Sequence, residues 1–350
     1  MSKSAFARLV VDWYERHKRD LPWRHTRDPY KIWLSEIILQ QTRVAQGLPY
    51  YKAFIARYST VAKLAAAPQD EVLRLWQGLG YYSRARNLHA CAKKIVNEHK
   101  GKFPNSYQEL LKLPGVGTYT AAAIASLAFN EPVAVVDGNV FRVLARVFGI
   151  AHNIASPAGK KFFFNKANEL IDREKPSVFN QAVMEFGALH CTPKNPACSS
   201  CPLARMCIAN QQSIQTQLPV KETRTKVKVR YLYYLVLKKG AKLFLRKRAP
   251  GDIWNGLYDF YLIEEPKATQ TQKLVDKRLK VKPRSVSKVY KHILSHQKLM
   301  VRFIEPAEIS AALEKQIKTT GMKLYSIKQI EQLPKPVLIS RFLHDAGYAM

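Results

Sequence analysis

Four of the five cysteines lie close together near the middle of the chain, at Cys191, Cys198, Cys201 and Cys207. Their spacing is C-x6-C-x2-C-x5-C, and clustered thiolates of this kind suit a soft metal better than a disulfide framework. Zinc sites usually contain two C-x2-C pairs, whereas this segment has one. A [4Fe–4S] cluster accepts four thiolates from one compact loop. The pattern therefore favours a [4Fe–4S] cluster, with zinc and a metal-free loop as the alternatives.

Two carboxylates stand in settings that give them different chemistry. Glu36 lies inside an apolar stretch at 32–41, where burial would raise its pKa and keep it protonated near neutrality. Asp137 follows an apolar run and precedes a helical pattern, so we expect it to cap that helix, keep a low pKa and stay ionised. A protonated acid beside a fixed anion is the pair that glycosidic cleavage uses. The alternatives are a partly exposed helix residue and a simple cap, and the sequence does not show that the two residues meet.

A glycine-containing turn separates two helical patterns at 107–112 and 120–128. The turn is Leu113-Pro114-Gly115-Val116-Gly117, and glycine lets the backbone approach a ligand closely. The amides that follow open a helix, whose positive dipole end favours an anion. We interpret it as a helix–hairpin–helix in which Leu113, Gly115, Val116 and Gly117 grip a DNA phosphate, rather than as a plain helical hairpin.

The elements that must position these groups fall into two parts. Residues 1–210 have apolar spacing typical of helices and are punctuated by proline. A polar segment at 211–227 reads as a linker. Residues 228–350 predict an α+β domain, because two β-rich runs at 231–237 and 243–246 flank a glycine turn and suggest a hairpin.

The charge of the chain limits its partners. Lys and Arg number 57 against 26 Asp and Glu, for a formal net charge of +31. Nucleic acid is the expected partner of such a basic protein, and an anionic membrane surface or a merely solvated face are the alternatives. No apolar run is long enough to span a bilayer, and the N-terminus lacks an apolar signal core, so we expect a cytoplasmic protein.

Together, the cysteine spacing, the L-P-G-V-G turn and the V-D-G-N motif resemble the iron–sulfur helix–hairpin–helix DNA glycosylases. The motifs W-L-S-E-I-I-L-Q-Q-T at 33–42 and G-L-G-Y-Y-S-R-A-R-N-L at 78–88 are similar to those of the MutY-type adenine DNA glycosylases. The resemblance implies removal of adenine paired with 8-oxoguanine or guanine in duplex DNA. It implies roles for the following residues: Glu36 as the acid, Asp137 as the stabiliser of an oxocarbenium ion, Asn139 orienting Asp137, Gln41 and Tyr81 as wedges in the duplex, and Glu185 supporting the pocket.

One position after the hairpin distinguishes relatives within this superfamily. The bifunctional relatives carry a lysine nucleophile there, and this chain has Tyr119. Without that amine no Schiff base is expected at that place. The resemblance therefore implies a monofunctional glycosylase in which Tyr119 lines the pocket.

The C-terminal part resembles the Nudix-like module of the same family, which reads the oxidised guanine. W-N-G-L-Y-D-F at 254–260 matches its strand, and His292-Ile293-Leu294-Ser295-His296 matches its F-S-H loop with Leu294 in the place of Phe. Ser295 and His296 are thus implied to contact 8-oxoguanine. No R-E-x-x-E-E box follows, so we expect no nucleotide hydrolysis. The family also implies a nucleoid-associated monomer of bacterial type.

Two rival functions remain at this point. The first is a bifunctional pyrimidine glycosylase and lyase, against which Tyr119 and the extra C-terminal domain argue. The second is a protein that binds damaged DNA without catalysis, which would require Glu36 or Asp137 to be misplaced.

Overall fold

The computed structural model describes residues 3–222, 227–270, 274 and 282–348. The chain divides into two compact units, of which the first comprises Met1–Ala66 and Asn87–Arg224 and the second Ala67–Arg86 and Thr225–Met350. This division differs from the predicted domain boundaries, because residues 67–86 pack with the C-terminal part. No helix in the described ranges is long and apolar enough to cross a membrane.

Residues 3–211 are helical, as the sequence predicts, apart from short connections and 3-10 turns. The helices are α1 (Lys3–His17), α2 (Pro29–Leu39), α3 (Val44–Arg57), α4 (Val61–Ala66), α5 (Gln69–Leu75), α6 (Ser83–His99), α7 (Tyr107–Leu110), α8 (Thr118–Phe129), α9 (Gly138–Phe148), α10 (Pro157–Leu170), α11 (Pro176–Leu189) and α12 (Ile208–Gln211).

Local signals explain where the site-bearing helices begin and end. Helix α2 begins with Pro29, and the Asp28 carboxylate accepts a hydrogen bond from the Tyr30 amide at 2.9 Å. Gly149 follows the last residue of α9, and its φ of +64° terminates the helix. Helices α1, α9, α10 and α11 pack together through buried aliphatic and aromatic side chains, which fixes the start of α9.

The predicted linker at 211–227 is corrected by the structure over its described part. Leu218 is buried in the core of the first unit, and its carbonyl accepts a hydrogen bond from Arg146 at 3.1 Å. Ile154 donates its amide to the Val220 carbonyl at 3.0 Å. Residues 211–222 are therefore an ordered border of the helical unit, since these long-range contacts offset their polar composition. Residues 223–226 lie outside the described residues.

The C-terminal part has the predicted α+β character. Its strands are β1 (Lys228–Leu235), β2 (Lys238–Lys239), β3 (Lys242–Lys247), β4 (Tyr258–Asp259), β5 (Tyr261–Glu265), β6 (Pro283–Val286), β7 (Tyr290–Ile293), β8 (Gln297–Pro306) and β9 (Lys323–Ser326). Its helices include α13 (Ala311–Thr319), α14 (Ile327–Gln332) and α15 (Val337–Asp345). One sheet has the order β5-β1-β8-β6 with β7 also paired to β8, and the other has the order β2-β3-β4 with β9 paired to β3.

The sequence predicts a hairpin between 231–237 and 243–246, and the pairing of its first strand is wrong. Strand β1 pairs antiparallel with β5 and parallel with β8, whereas β3 turns back on the short β2 around Gly240. Residues 232–235 of β1 are buried on both faces of the sheet, which is typical of a central strand rather than of one arm of a hairpin.

Within this second unit, residues 67–86 are held by hydrogen bonds. The Arg86 guanidinium donates to the Asn255 carbonyl at 2.8 Å, and the Lys335 amide donates to the Gln77 side chain at 3.3 Å. Tyr81 therefore belongs, by its packing, to the unit that carries Ser295 and His296.

Candidate active site

Glu36 lies on α2 and is 7% exposed. Burial raises its pKa to about 7, and the charge of Asp137 adds to this effect, while a hydrogen bond from Tyr119 and the charge of Arg24 oppose it. The raised pKa of Glu36 agrees with the direction that its apolar flanks predict. At neutral pH a substantial fraction of this carboxyl group carries a proton that it can donate.

Tyr119, in the first turn of α8, contacts Glu36 directly. Its hydroxyl donates to Glu36 Oε2 at 2.5 Å. Burial, followed by the charges of Glu36 and Asp137, raises the pKa of Tyr119 well above its usual range, so the phenol stays protonated and remains a donor. Tyr119 lines the cavity, in the position that the sequence predicts.

Asp137 caps α9 as predicted. Its Oδ1 accepts hydrogen bonds from the amides of Asn139 at 2.9 Å and Val140 at 2.8 Å, and its Oδ2 accepts from Asn139 Nδ2 at 2.7 Å. The expected low pKa is wrong, because burial raises the pKa of Asp137 above its ordinary value. The three hydrogen bonds and the charge of Arg142 oppose this rise. The capping pattern in the sequence does not show how deeply the Asp137 carboxylate is buried, and that burial is what raises its pKa.

The two carboxylates meet in one cavity of the helical unit. Helices α2, α8, α9 and α11 each contribute to its wall. Its polar lining consists of Arg19, Arg24, Glu36, Thr42, Arg43, Tyr119, Asp137, Asn139, Arg142, Gln181 and Glu185. A buried acid and a capped carboxylate thus face the same space, as glycosidic chemistry requires.

Glu185 supports the cavity through two arginines that the sequence reading did not single out. Arg19 and Arg24 both donate to its oxygens, with Arg19 Nη2 at 2.5 Å and Arg24 Nη2 at 2.7 Å from Oε2. Burial would raise the pKa of Glu185, but the hydrogen bonds from Arg19 and Arg24 lower it to about 2. Glu185 is therefore a permanent anion that fixes the chain between α1 and α2 on α11.

Arg142 is the other functional residue that was missed. Its Nη2 donates to Asn139 Oδ1 at 2.9 Å and to the Gly187 carbonyl at 2.5 Å, and its Nε donates to the Cys191 carbonyl at 2.7 Å. It thereby joins the residue that orients Asp137 to the cysteine segment. The sequence signal was an arginine among the apolar residues of α9, and in the structure this arginine is 8% exposed.

The four cysteines line one small cavity beside α9. Arg146 holds the segment in place by donating to the carbonyls of Thr192 at 2.7 Å and Pro193 at 2.9 Å, and to Cys191 Sγ at 3.5 Å. In the described ranges, no group of three His, Cys, Asp or Glu side chains is placed to hold a single metal ion. Four thiols around a shared space are the donor set of an iron–sulfur cluster, which would be held by Cys191, Cys198, Cys201 and Cys207.

The turn between α7 and α8 has the backbone form that an anion site needs. Gly115 has a φ of +73°, and a Cβ at this position would lie 2.6 Å from Asn87 Cβ. A Cβ on Gly117 would meet nothing within 4 Å, so the backbone is open to a ligand there. Leu113 and Val116 are 3% and 6% exposed, so these two residues can contact a phosphate only through their backbone.

The predicted wedge residues share one backbone peculiarity. Gln41 in the first unit and Tyr81 in the second are both exposed and both have positive φ, at 55° and 46°. Within the second unit the Tyr81 hydroxyl hydrogen-bonds Ser295 Oγ. Ser295 and His296 are exposed in the turn between β7 and β8, where the His296 carbonyl accepts from the Lys228 amide at 3.0 Å.

Three family models match consecutive parts of the chain. Residues 34–167 match the HhH-GPD superfamily of base excision DNA repair proteins. Residues 191–207 match the iron–sulfur binding domain of endonuclease III, and residues 232–345 match the NUDIX domain. The predicted fold class, including its Nudix-like C-terminal part, is confirmed, as is the iron–sulfur cofactor.

An adenine DNA glycosylase of Buchnera aphidicola subsp. Baizongia pistaciae is 36% identical over 306 residues, which cover 86% of each protein. The chain belongs to the adenine DNA glycosylase family. It is accordingly a DNA glycosylase, a hydrolase of base excision repair. The human adenine DNA glycosylase is 45% identical over 224 residues, which cover 61% of this chain and 41% of the human protein.

Among solved structures, a thermostable thymine-DNA glycosylase superposes with a TM-score of 0.56 at 32% identity. The match covers 60% of this chain and 97% of that protein. Part of this chain thus shares its fold with an enzyme that is named for a different base.

Proposed function

We propose that this adenine DNA glycosylase hydrolyses the bond between adenine and deoxyribose where adenine is paired with 8-oxoguanine or guanine in duplex DNA. The observation that carries the proposal is the placement of Glu36, with its pKa of about 7, in the same cavity as Asp137. One of these groups can act as an acid at neutral pH, and the other is held by donors that favour its anion.

The first step delivers the base and a proton to it. A duplex hides the glycosidic bond, so the nucleotide must leave the stack, and exposed side chains such as Gln41 and Tyr81 fill part of the gap. Adenine is a poor leaving group as an anion. Protonated Glu36 therefore donates its proton to a ring nitrogen of adenine, and the bond between the base and C1′ breaks.

The second step consumes the cation that remains on the sugar. Asp137 supplies the negative charge beside C1′, and Asn139 keeps its carboxylate oriented through the 2.7 Å hydrogen bond. Water then adds to C1′, and its proton returns to the Glu36 carboxylate. The acid is thereby restored, with one adenine released and one abasic site formed.

The reaction stops at the abasic site in this proposal. A lyase needs an amine that can form a Schiff base with the sugar. Among the described residues that line the cavity there are arginines but no lysine, and Tyr119 points its hydroxyl at Glu36. Guanidinium groups stay protonated and are poor nucleophiles.

The base opposite adenine is read by the second unit. Ser295 and His296 are exposed polar residues at a hairpin tip, and Tyr81 is hydrogen-bonded to Ser295. Hydrogen-bonding groups at this tip would contact 8-oxoguanine and, less strongly, guanine. Ser295→Ala combined with His296→Ala is expected to narrow the preference for 8-oxoguanine, and an unchanged preference would rule out this loop as the reader.

The test is a single-turnover glycosylase assay on duplexes with A opposite 8-oxoguanine, A opposite G, T opposite G, and an oxidised pyrimidine. Wild type should release adenine from the first two only, without efficient trapping by borohydride. Glu36→Gln should abolish release while DNA affinity is largely kept, and Glu98→Gln on an exposed helix face is the matched control.

Asp137→Asn should also abolish release, because asparagine preserves the helix cap but not the charge. Retained turnover in either variant would overturn the assignment of roles, and excision of the pyrimidine lesion with efficient borohydride trapping would overturn the proposed substrate.

A further inference from the structure

Residues 251–256, which we call the clasp loop, lie between β3 and β4 and have an unusual backbone conformation. Gly251, Trp254 and Gly256 all have positive φ, at 108°, 61° and 80°. Glycine tolerates this region, but for a residue as bulky as tryptophan it costs free energy. Such strain persists only where the surrounding structure imposes it, and it is common at functional sites.

Two buried arginines hold the clasp loop by one carboxylate. Arg230 Nη1 and Nη2 donate to the two oxygens of Asp252, both at 2.7 Å, and Arg248 Nη2 donates to Oδ2 at 2.8 Å. Arg248 Nε also donates to the Ile253 carbonyl at 2.9 Å. Bidentate pairs of this kind fix the orientation of a carboxylate as well as its position. Asp252 therefore ties the strained loop to the buried part of the second unit.

The clasp loop contacts the segment that carries Tyr81. Its Asn255 carbonyl accepts the hydrogen bond from Arg86 at 2.8 Å. A Cβ on Gly256 would lie 3.4 Å from Leu73 Cδ1, so the backbone of the loop packs closely on that segment. A shift of the loop would therefore displace the segment from which Tyr81 projects.

The same loop is linked to β7 and β8. The Trp254 ring meets the His292 ring of β7 edge-on, with centroids 5.7 Å apart. Arg230, which holds Asp252, also donates to the side chain of Gln297 at the start of β8, at 3.1 Å. The clasp loop thus joins the two elements of the second unit to which the proposed function assigns the wedge and the reading of the opposite base.

We propose that Asp252 is a positioning residue for recognition of the mispair, because it locks the clasp loop that aligns the Tyr81 segment with β7 and β8. This inference rests on the proposed function, since it takes both elements to meet the DNA. A wedge and a reader act on neighbouring positions of one duplex, and a misplacement of about 1 Å can cost roughly a hundredfold in rate. Without the carboxylate, the strained backbone at Trp254 is free to relax and the alignment is lost.

The experiment measures how well the full chain discriminates a mispair from paired DNA. The parent protein carries Glu36→Gln, so that bound DNA is not cleaved. The two probes are one duplex with adenine opposite 8-oxoguanine and the same duplex with adenine opposite thymine. Asp252→Asn should lower the ratio of the two affinities roughly tenfold and leave the affinity for paired DNA unchanged. A merely structural role would lower both affinities together.

Glu264→Gln provides the matched control. Glu264 accepts two hydrogen bonds from the same Arg230, at 2.7 and 2.6 Å, and its side chain is 39% exposed against 38% for Asp252. It lies on β5, outside the clasp loop. The control should discriminate as the parent protein does. Both variants should have melting temperatures within about 4 °C of the parent, since each leaves Arg230 one carboxylate.

Arg86→Gln tests the other end of the clasp loop. It removes the hydrogen bond to the Asn255 carbonyl, so it should lower the affinity ratio as Asp252→Asn does. Because both changes would break the same alignment, the double variant should lose no more discrimination than the more affected single variant.

Unchanged discrimination in Asp252→Asn would overturn the inference. So would an equal loss in Glu264→Gln, or fully additive losses in the double variant. The proposed function is judged separately, by adenine release from the protein with Glu36 intact. If adenine is released opposite 8-oxoguanine and guanine, and Asp252→Asn discriminates as the parent does, only this inference fails.

Discussion

The hydroxyl of Tyr119 should set the upper end of the pH range in which the enzyme works. Tyr119→Phe removes the 2.5 Å hydrogen bond to Glu36 Oε2 and little else, because the ring keeps its shape. That bond favours the carboxylate and so holds the pKa of Glu36 down to about 7 against burial. Its loss should therefore raise the pKa of Glu36.

The size of the shift follows from the free energy of the bond. A hydrogen bond to a charged group stabilises it by about 1.5–3 kcal/mol, and one to the neutral acid by about 0.5–1.5 kcal/mol. The difference is about 1–2 kcal/mol, or roughly one pKa unit at 1.36 kcal/mol per unit. The pKa of Glu36 would then move from about 7 to roughly 8.

The sign of the effect on activity is distinctive. The acid form of Glu36 is the active one, so activity is lost as the pH rises through its pKa. At pH 8 the protonated fraction should be roughly fivefold larger in Tyr119→Phe than in wild type, although the weaker acid lowers the plateau rate at low pH. Relative to wild type, Tyr119→Phe should thus release adenine more slowly at acidic pH and lose less of its activity at alkaline pH.

The assay is single-turnover adenine release across about pH 5.5–9.5, with the alkaline limb fitted for each protein. Tyr30→Phe is the matched control, because it removes another buried hydroxyl, one that donates to the Tyr58 carbonyl at 2.6 Å, without touching Glu36. An alkaline limb that stays in place or moves to lower pH in Tyr119→Phe would refute the reasoning. A limb displaced equally in Tyr30→Phe would refute it as well.

Three further predictions concern the frame around the site. Glu185→Gln should cost about 3 kcal/mol at pH 7, because the pKa lowered from 4.5 to about 2 by Arg19 and Arg24 stabilises the fold above pH 4.5. Wild type should lose this stability as the pH falls from 4.5 towards 2, whereas the variant should not, as urea unfolding across pH can show. Gly187→Ala should lower the rate of adenine release at least tenfold with a smaller loss of stability, because the new Cβ would lie 2.7 Å from Asn139 Cβ. Single-turnover rates measure the first effect and melting curves the second. A normal rate of adenine release would contradict this prediction. Replacing any ligand cysteine by serine should lower iron content and melting temperature together, and a stable iron-free variant would show that the cluster does not hold the segment.

Much of the site could be predicted because the decisive information was local. Glu36 is surrounded by apolar neighbours in its own helix, so burial and a raised pKa followed from sequence alone. The helix cap at Asp137 and the glycine turn of the hairpin could likewise be predicted from the residues next to them in the sequence. The cysteine ligands needed only their spacing.

What was missed depends on residues far apart in the chain. The pairing of Glu185 with Arg19 spans more than 160 positions, and no periodicity reports it. Residues 67–86 precede the C-terminal part by more than 130 positions, yet they pack with it. The first strand of that part was assigned to the wrong partner for the same reason, because its true neighbours β5 and β8 come later in the sequence.

The error on Asp137 bears on how the two carboxylates divide the work. Burial raises the pKa of both, so burial does not decide which one is the acid. The donors decide it. Asp137 accepts two backbone amides and the Asn139 side chain, whereas Glu36 accepts the Tyr119 hydroxyl. More donors favour the anion more strongly, and a carboxylate at a helix N-terminus also gains from the dipole. In the proposed mechanism Asp137 therefore gives up its proton first, and its charge in turn helps Glu36 to keep one.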